Sequence, residues 1–349
     1  MRSASPITVL DPFDVVADTA LPSLATALDP DEAARELPPR LTRLAGDATI
    51  EVRAIRVARY KPERRCLVEY DLEVHGAEDR RELVTVLGKV QRGRYGKSGY
   101  RCLDALWRAG FDAASTDGAS VPEPVGTVPR FRMWLQRRVP GVPASELLDR
   151  PGAERLAERI AEAAHKLHRA GVPAERTHGM ADEIRILESC LLDVAGRRPD
   201  LTARLNRLLD ACRRLAARTP EPVPTGIHRD FYADQVVVDS GRLNIVDFDL
   251  YCVGDPGLDI GNFLGHLTEQ GLREQGDARA LLAAEDALER RFLELAGERA
   301  RPAVRAYAAL TLARHVYLSG LLPGRLHLID ALLEIAEDRV SAEIGIRGR

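Results

Sequence analysis

Three polar residues have the types and the spacing needed to bind a metal ion and to assist a group transfer. Asp230 and Gln235 precede a short apolar run, and Asp247 ends the next one. The Ser240-Gly241 pair between the runs predicts a tight hairpin, which brings Gln235 and Asp247 close together at one end. Their amide and carboxylate oxygens suit Mg²⁺, which takes few protein ligands and completes its shell with water and phosphate.

A carboxylate beside such a metal can orient an attacking hydroxyl group and accept its proton, and Asp230 is placed for that role. Carboxylates among apolar strands otherwise cost free energy, because burying a charge is unfavourable unless a cation meets it. The residues by themselves leave two interpretations open. One is a metal-assisted transfer site, and the other is a polar rim on an ordinary hairpin.

Composition excludes several classes of protein. The 349 residues correspond to one large or two ordinary domains. With 45% hydrophobic and 30% charged residues, the chain can bury a substantial core and is expected to be a soluble globule. The net charge of −3 comes from nearly balanced acids and bases, so the basic stripe of a nucleic-acid-binding protein is missing.

Cysteine usage and hydropathy set further limits. The five cysteines are scattered without a CxxC pair, which argues against a disulfide framework or a zinc site. No apolar run approaches 18 residues, and the first residues lack the apolar region of a signal peptide. We therefore expect a cytoplasmic protein that does not bind membranes.

The elements that position these residues form an α+β chain in three parts. Residues 1–45 are predicted to be an N-terminal extension with a short helical stretch. Residues 46–136 read as a small lobe of antiparallel strands and one helix, and residues 137–349 as a larger helical lobe that carries the hairpin and the acceptor site. We find no internal repeat.

Within the small lobe, alternating residues predict two strands about the turn Lys61–Arg64 and a third strand over 82–91. A helix is then expected to end at Gly110, followed by a loop over 111–130 and a strand over 131–139.

In the larger lobe, apolar spacing predicts helices that include residues 156–167 and 201–215, and further helices over 260–340. The stretch 303–322 is apolar on nearly every face, so it should lie at the centre of this lobe.

Several motifs, taken in order, resemble the aminoglycoside phosphotransferase and choline kinase family. "HRDFYADQ" (228–235) followed by "IVDFD" (245–249) is similar to the HxDxxxxN…(I/L)D catalytic signature of that family. "GDPGLDIGNFL" (254–264) resembles the stretch after its metal-binding Asp, "AEAAHKLHRAG" (161–171) its LAxLH helix, and "MWLQRRVPG" (133–141) its hinge strand. The resemblance covers roughly residues 50–265 and implies a bilobal protein-kinase-like fold.

The resemblance assigns roles to the three residues of the hairpin region. Asp230 corresponds to the catalytic Asp that orients the acceptor hydroxyl, and Asp247 to the Asp that binds Mg²⁺ on the nucleotide phosphates. Gln235 stands where the family usually has Asn, and it keeps the amide oxygen for the metal. Asp259 and His228 correspond to residues that brace the catalytic loop. Asp255, which precedes a proline, fits a helix N-cap.

The resemblance also assigns the nucleotide-binding residues. Lys89 would contact the α- and β-phosphates, and the backbone of Arg137, Arg138 and Val139 would hydrogen-bond the adenine. Two departures stand out. The helix that follows Lys89 offers Asp104 rather than the usual Glu as a partner, and the expected phosphate loop, "YKPERRC" (60–66), has no glycine.

The predicted activity is transfer of the γ-phosphoryl group of ATP, with GTP possible, to a hydroxyl of a small molecule such as an aminoglycoside, a sugar or a natural product. Two alternatives stay open: a peptide Ser/Thr kinase of a biosynthetic pathway, and a nucleotide-binding pseudokinase that serves as a scaffold. The sequence leaves the oligomeric state undetermined.

The acceptor is expected to be less cationic than kanamycin-type drugs. Eight acids stand against five arginines between Leu267 and Ala300, and many of these acids lie three or four residues from an Arg with which they can pair.

Overall fold

In the computed structural model, which describes residues 6–46, 48–76, 81–93 and 97–345, the chain divides into two units, Met1–Pro140 and Gly141–Arg349. A six-stranded sheet dominates the first unit, and helices dominate the second. This confirms the predicted α+β class, with a sheet-bearing N-terminal lobe and a larger helical C-terminal lobe.

The strands of the N-terminal unit are β1 (Thr8–Leu10), β2 (Thr49–Lys61), β3 (Arg65–His75), β4 (Arg81–Gln91), β5 (Ala119–Ser120), β6 (Pro124–Val128) and β7 (Met133–Arg137). Its α-helices are α1 (Ser23–Ala27), α2 (Pro30–Glu36), α3 (Thr42–Ala45) and α4 (Lys97–Leu106). Short 3₁₀ segments lie at Val15–Ala17, Pro38–Arg40 and Pro129–Phe131, and a π-helical turn spans Trp107–Phe111.

The sheet has the order β1-β2-β3-β4-β7-β6 and is antiparallel except for the β1–β2 pair. The predicted hairpin about Lys61–Arg64 is confirmed, since β2 and β3 pair up to Lys61 and Arg65. Alternate residues of β3 are buried, as expected for a strand with one face on a core.

The N-terminal residues contribute to that same core. Leu24, Leu37 and Leu41 are fully buried together with Tyr70 of β3, and the Tyr70 hydroxyl donates a hydrogen bond to the Ala27 carbonyl at 2.9 Å. The segment ahead of β2 is therefore part of the sheet unit and packs on the buried face of the sheet.

Two details of the small lobe differ from the sequence prediction. The loop expected over 111–130 contains β5 and β6, and β6 is buried along nearly its whole length, so it lacks the alternation that identifies a strand. The helix expected to end at Gly110 leaves α-geometry after Leu106 and turns at Gly110, whose φ is 95°.

The strands of the C-terminal unit are β8 (Val142–Pro143), β9 (Thr177–His178), β10 (Thr225–Ile227), β11 (Val236–Asp239), β12 (Arg242–Ile245) and β13 (Cys252–Gly254). Its α-helices are α5 (Ala153–Arg169), α6 (Met180–Arg197), α7 (Thr202–Arg218), α8 (Pro256–Gln275), α9 (Leu282–Ala296), α10 (Arg301–Gly320) and α11 (Ile329–Ile344). Short 3₁₀ segments lie at Ala144–Glu146, Pro199–Leu201, Ala233–Gln235, Phe248–Leu250, Glu298–Ala300 and Pro323–Leu328.

Helix α10 is the centre of this unit, as predicted, and packs against α6, α8 and α11. Its approach to α8 is very close. A Cβ atom added at Gly261 would lie 2.5 Å from the Val304 carbonyl oxygen and 2.6 Å from the Tyr307 Cβ. Glycine at this position therefore sets the distance between the two helices.

Among the described residues, none of the helices combines the length and the apolar character that crossing a bilayer requires.

We predict that Gly261→Ala destabilises the C-terminal unit by about 1–3 kcal/mol, because the new methyl group would meet the backbone of α10. Gly320→Ala is the matched control. Its added Cβ would meet only the Ile329 Cδ1 atom, at 3.8 Å, so it should be neutral or slightly stabilising. Thermal unfolding followed by circular dichroism compares the two variants, and equal melting temperatures would contradict the close packing of α8 and α10.

Candidate functional site

The β11–β12 hairpin brings Gln235 near Asp247. The strands are antiparallel, with Val236 opposite Ile245 and Asp239 opposite Arg242. The pairing extends one step further, because the Val246 N–H donates a hydrogen bond to the Gln235 carbonyl at 2.9 Å. Asp247 directly follows Val246, so the two predicted oxygen ligands lie at the same end of the hairpin.

The loop that carries Asp230 is held by the buried carboxylate of Asp259. The backbone N–H groups of His228 and Arg229 donate to its two oxygens at 2.8 and 2.7 Å. The Nε2 atom of His168 lies 2.9 Å from the same carboxylate. Asp259 is fully buried, so these contacts replace the water that the charge would otherwise need.

The loop is also held just after Asp230. The Asn262 side chain donates from Nδ2 to the Phe231 carbonyl at 2.9 Å. Asp230 is thus flanked by fixed backbone on both sides. Its own half-buried carboxylate accepts no hydrogen bond within the part of the chain that the structure describes.

His228 links this loop to the strand that leads to Asp247. Its Nε2 atom lies 2.9 Å from the Val246 carbonyl oxygen, which can only accept, so Nε2 carries the proton. The ring is fully buried, with Phe231 and Phe248 at centroid distances of 5.7 and 5.0 Å. His228 is a structural anchor, as the sequence predicts.

A further chain of hydrogen bonds, buried at its His178 end, supports Asn262. Arg314 donates to the Asn262 Oδ1 atom at 2.7 Å and contacts Glu183 at 3.3 Å, and Glu183 lies 2.6 Å from the Nε2 atom of His178. Burial would raise the pKa of Glu183, but the hydrogen bond from His178 and the charge of Arg314 outweigh it and lower the pKa. Glu183 therefore remains charged and holds Arg314 in place.

The start of α8 is set by Asp255. Its Oδ1 atom accepts a hydrogen bond from the Gly257 N–H at 2.8 Å, so Asp255 is the N-cap that the sequence predicts. Asn262 was not predicted from the sequence. It lies three residues after Asp259 and therefore on the same helix face, a spacing that could have identified it.

The backbone is left-handed next to Asp230 and at Asp247 itself. Arg229 has a φ of 71°, and Asp247 has φ 64° and ψ 61°. Non-glycine residues in this conformation are uncommon and cluster at functional sites.

In the N-terminal unit, Lys89 lies on β4 opposite Leu67 of β3. Its neighbours Val86 and Val90 face the buried core, so alternation places Lys89 on the other face of the sheet, where it is half-buried.

The segment predicted to bind adenine already uses two of its backbone donors. The Arg137 N–H donates to the Glu123 carbonyl, and the Arg138 N–H donates to the Thr85 carbonyl, both at 2.8 Å. Of the three predicted residues, only Val139 has an amide with no backbone hydrogen bond to another described residue. Adenine binding by the Arg137–Val139 backbone stays a prediction, and the Val139 N–H is the donor of the three that has no backbone acceptor among the described residues.

The structure shows the contacts made at both departures from the family pattern, Asp104 on α4 and the glycine-free turn between β2 and β3. Asp104 contacts two guanidinium groups, those of Arg43 and Arg108, at 2.8 and 2.9 Å. The glycine-free turn is fixed by Asp18, whose carboxylate accepts from the Glu63 N–H at 2.8 Å and the Tyr60 hydroxyl at 2.9 Å.

The donor set at the end of the hairpin fits Mg²⁺ rather than a transition metal. Gln235 and Asp247 offer only oxygen atoms. Among the described residues there is no cluster of three or more His, Cys, Asp or Glu side chains that could enclose a metal. A metal bound through one or two protein oxygens, with phosphate and water completing its shell, is the usual mode for Mg²⁺.

The chain is similar to known proteins in sequence pattern and in fold. The model of the phosphotransferase enzyme family matches residues 100–307. No curated protein sequence matches the chain. Among the solved structures with a similar fold are the following three:
a choline/ethanolamine kinase family protein from Mesorhizobium loti (18% identity, 76% of this chain and 90% of that chain, TM-score 0.52); a thermostable mutant of an aminoglycoside phosphotransferase with AMP-PNP and hygromycin B (18%, 90% and 99%, 0.52); and a putative aminoglycoside phosphotransferase from Ralstonia eutropha (16%, 86% and 94%, 0.55).

At these identities the solved structures bear on the fold, which is bilobal and protein-kinase-like. The family model spans more than half of the chain and includes the loop of Asp230, the hairpin and α8. The chain therefore belongs to the phosphotransferase enzyme family and is a kinase that uses an alcohol group as acceptor.

Proposed function

We propose that this enzyme transfers the γ-phosphoryl group of ATP to a hydroxyl of a small molecule. The observation that carries the proposal is the loop of Asp230, fixed before the carboxylate by Asp259 and after it by Asn262. Phosphoryl transfer depends mainly on positioning, and a carboxylate on a rigid loop is suited to orient an acceptor.

In the proposed reaction, Asp230 holds the acceptor hydroxyl by accepting its hydrogen bond. The hydroxyl oxygen attacks the γ-phosphorus, the bond from that phosphorus to the β–γ bridging oxygen breaks, and ADP leaves. The hydroxyl proton passes to the Asp230 carboxylate. Asp259, Asn262 and His228 keep the loop in place and do not contact the reacting atoms.

Asp247 and Gln235 would hold Mg²⁺. When bound, this ion would neutralise the negative charge of the phosphates. The Gln235 amide offers the same type of oxygen as the Asn found in the resembled family. The left-handed backbone at Asp247 is in keeping with a residue held for function rather than for folding.

Lys89 and the Val139 amide would bind the nucleotide, through its α/β-phosphates and its purine respectively. The aminoglycoside phosphotransferase with a similar fold was solved with AMP-PNP, which supports ATP, with GTP as the alternative. Hygromycin B in that structure, and the choline/ethanolamine kinase name of another, support a small hydroxyl-bearing acceptor over a peptide.

Asp230→Asn should lower kcat by roughly 10²–10⁴-fold, because the amide cannot accept the proton. The Kd for MgATP should not change. Asp239→Asn, the same substitution at the far end of the hairpin, is the control and should keep full activity. An ATP-consumption assay with calorimetry tests both, and a fully active Asp230→Asn enzyme would refute the assignment.

Asp247→Ala should weaken MgATP binding by roughly tenfold or more, a factor that corresponds to about 1.4 kcal/mol. Binding of ATP in EDTA should be nearly unaffected. Gln235→Asn keeps the amide oxygen and should retain most activity. Calorimetry with and without Mg²⁺ measures the difference, and equal losses under both conditions would mean that Asp247 has only a structural role.

Lys89→Ala should raise the KM for ATP and lower kcat, because a cation that would face the phosphates is lost. Arg81→Ala removes an exposed cation from the start of the same strand and should have little effect. Steady-state kinetics and circular dichroism are compared for both variants. An unfolded Lys89→Ala protein would show that the residue serves packing instead.

A further inference from the structure

A second polar cluster lies beside the catalytic loop and has no part in the mechanism above. Tyr232, two residues after Asp230, stacks on His266 of α8 with a centroid distance of 4.5 Å and an angle of 19°. His266 in turn meets His315 of α10 edge-on, also at 4.5 Å. Tyr232 and His266 are half-buried, whereas His315 is 3% exposed. The rings form a column from the loop into the interior.

The inner end of this column carries polar atoms without partners. Neither ring nitrogen of His315 has a hydrogen-bond partner among the described residues, and the same holds for the Oγ atom of the fully buried Ser319. The two side chains lie four residues apart and so on one face of α10. Buried polar atoms without a hydrogen-bond partner are destabilising, so the presence of three such atoms on one face of α10 suggests that a polar group binds there.

Both imidazoles are uncharged. Burial, together with nearby arginines, lowers the pKa of His315 to about 3. Burial, with His315 and the same arginines, holds the pKa of His266 well below its usual range. A neutral imidazole offers one donor and one acceptor, and an alcohol, with one O–H donor and two lone pairs, can pair with either.

The charged groups near the column are already paired. Glu269, 3% exposed, contacts Arg273 at 3.0 Å and Arg325 at 3.3 Å. Arg314 is held by Glu183 and Asn262. Apart from Asp230, which is assigned to the acceptor hydroxyl, no carboxylate among these described neighbours is left unpaired to receive an ammonium group, and no guanidinium is left unpaired to receive an anion.

The same pairing extends along the neighbouring helices, as the sequence predicts. Glu294 of α9 contacts Arg290 and Arg291 of the same helix, at 3.5 and 3.0 Å. Glu289 contacts Arg301 and Arg305 of α10, at 3.1 and 2.9 Å. These acids are engaged in ion pairs on the protein and are not arranged to hold a polycation.

We propose that His266, His315 and Ser319 bind hydroxyl groups of the acceptor, and that the acceptor is an uncharged polyol or sugar. The inference rests on the proposed function, which supplies the acceptor itself. Rotation of the half-buried His266 ring about its side-chain bonds would open His315 to a ligand held at the catalytic loop. The neutral column and the paired charges then discriminate against polycationic acceptors.

The experiment uses the full chain with myo-inositol and D-glucose as neutral probes and kanamycin as the polycationic probe. Binding is measured by calorimetry with Mg²⁺ and AMP-PNP, and turnover by ATP consumption. We expect binding and turnover of at least one neutral probe and little of kanamycin. Turnover of kanamycin with neither neutral probe bound would overturn the inference and leave the proposed function intact.

Variants then test the residues. His315→Leu should raise the KM for the neutral acceptor by roughly tenfold, with the KM for ATP unchanged. It should also raise the melting temperature by about 2–4 °C, because two unpaired polar atoms leave the core. Ser319→Ala should show a smaller effect of the same kind. His165→Leu on α5, whose ring meets Phe292 edge-on at 6.5 Å, is the matched control and should change neither KM.

Further outcomes separate the two proposals. If His315→Leu is more stable but binds the neutral probe as wild type does, the unpaired atoms meet only water and the inference fails. If a neutral probe binds and His315→Leu weakens that binding but no probe is turned over, the polyol site is supported and phosphoryl transfer to these probes is refuted. If no neutral probe binds at all, the inference is overturned whatever Asp230→Asn shows.

Discussion

The candidate site depends on one buried carboxylate. Asp259 is fully buried, and a charge in that position is tolerated only when hydrogen bonds replace its hydration. Two of its three contacts are backbone amides of the catalytic loop, and the third is His168 of α5. The requirement to satisfy this charge thus fixes the loop path, and the left-handed conformation of Arg229 is part of that path.

Asp259 can do this only because α8 itself is rigidly placed. Gly261 lets α8 lie against the backbone of α10, and Asp255 caps the first turn. Closely packed interiors resist small displacements, so a shift of α8 would be felt in the loop. The packing of α8 against α10 and the position of the half-buried Asp230 carboxylate are therefore coupled.

Features set by residues close together in the sequence could be predicted, whereas features set by residues far apart could not. The β2–β3 hairpin and the N-cap at Asp255 were predictable, because alternation and an acid before proline are local signals. β6 was missed because a strand buried on both faces has no alternation.

The use of the Arg137 and Arg138 amides could not be predicted either. Their acceptors, Glu123 and Thr85, are distant in sequence, and such pairs depend on register, which a single sequence does not specify. The roles of Asp230, Gln235, Asp247 and Lys89 remain predictions, because they concern a bound nucleotide, a metal and an acceptor rather than contacts within the chain.

One face of α8 carries both the residues that hold the catalytic loop and a residue proposed to bind the acceptor. Asp259, Asn262, His266 and Glu269 follow at intervals of three and four residues, so they lie along a single stripe of the helix. The first two hold the catalytic loop, His266 stacks on Tyr232 of that loop, and Glu269 forms ion pairs with Arg273 and Arg325. Asp259 and Asn262 must keep their positions, because they bind the backbone of the loop. Among the described residues, the stripe from His266 onward makes no hydrogen bond to that backbone. A family that keeps one fold for different acceptors could therefore vary this outer part without disturbing the placement of Asp230.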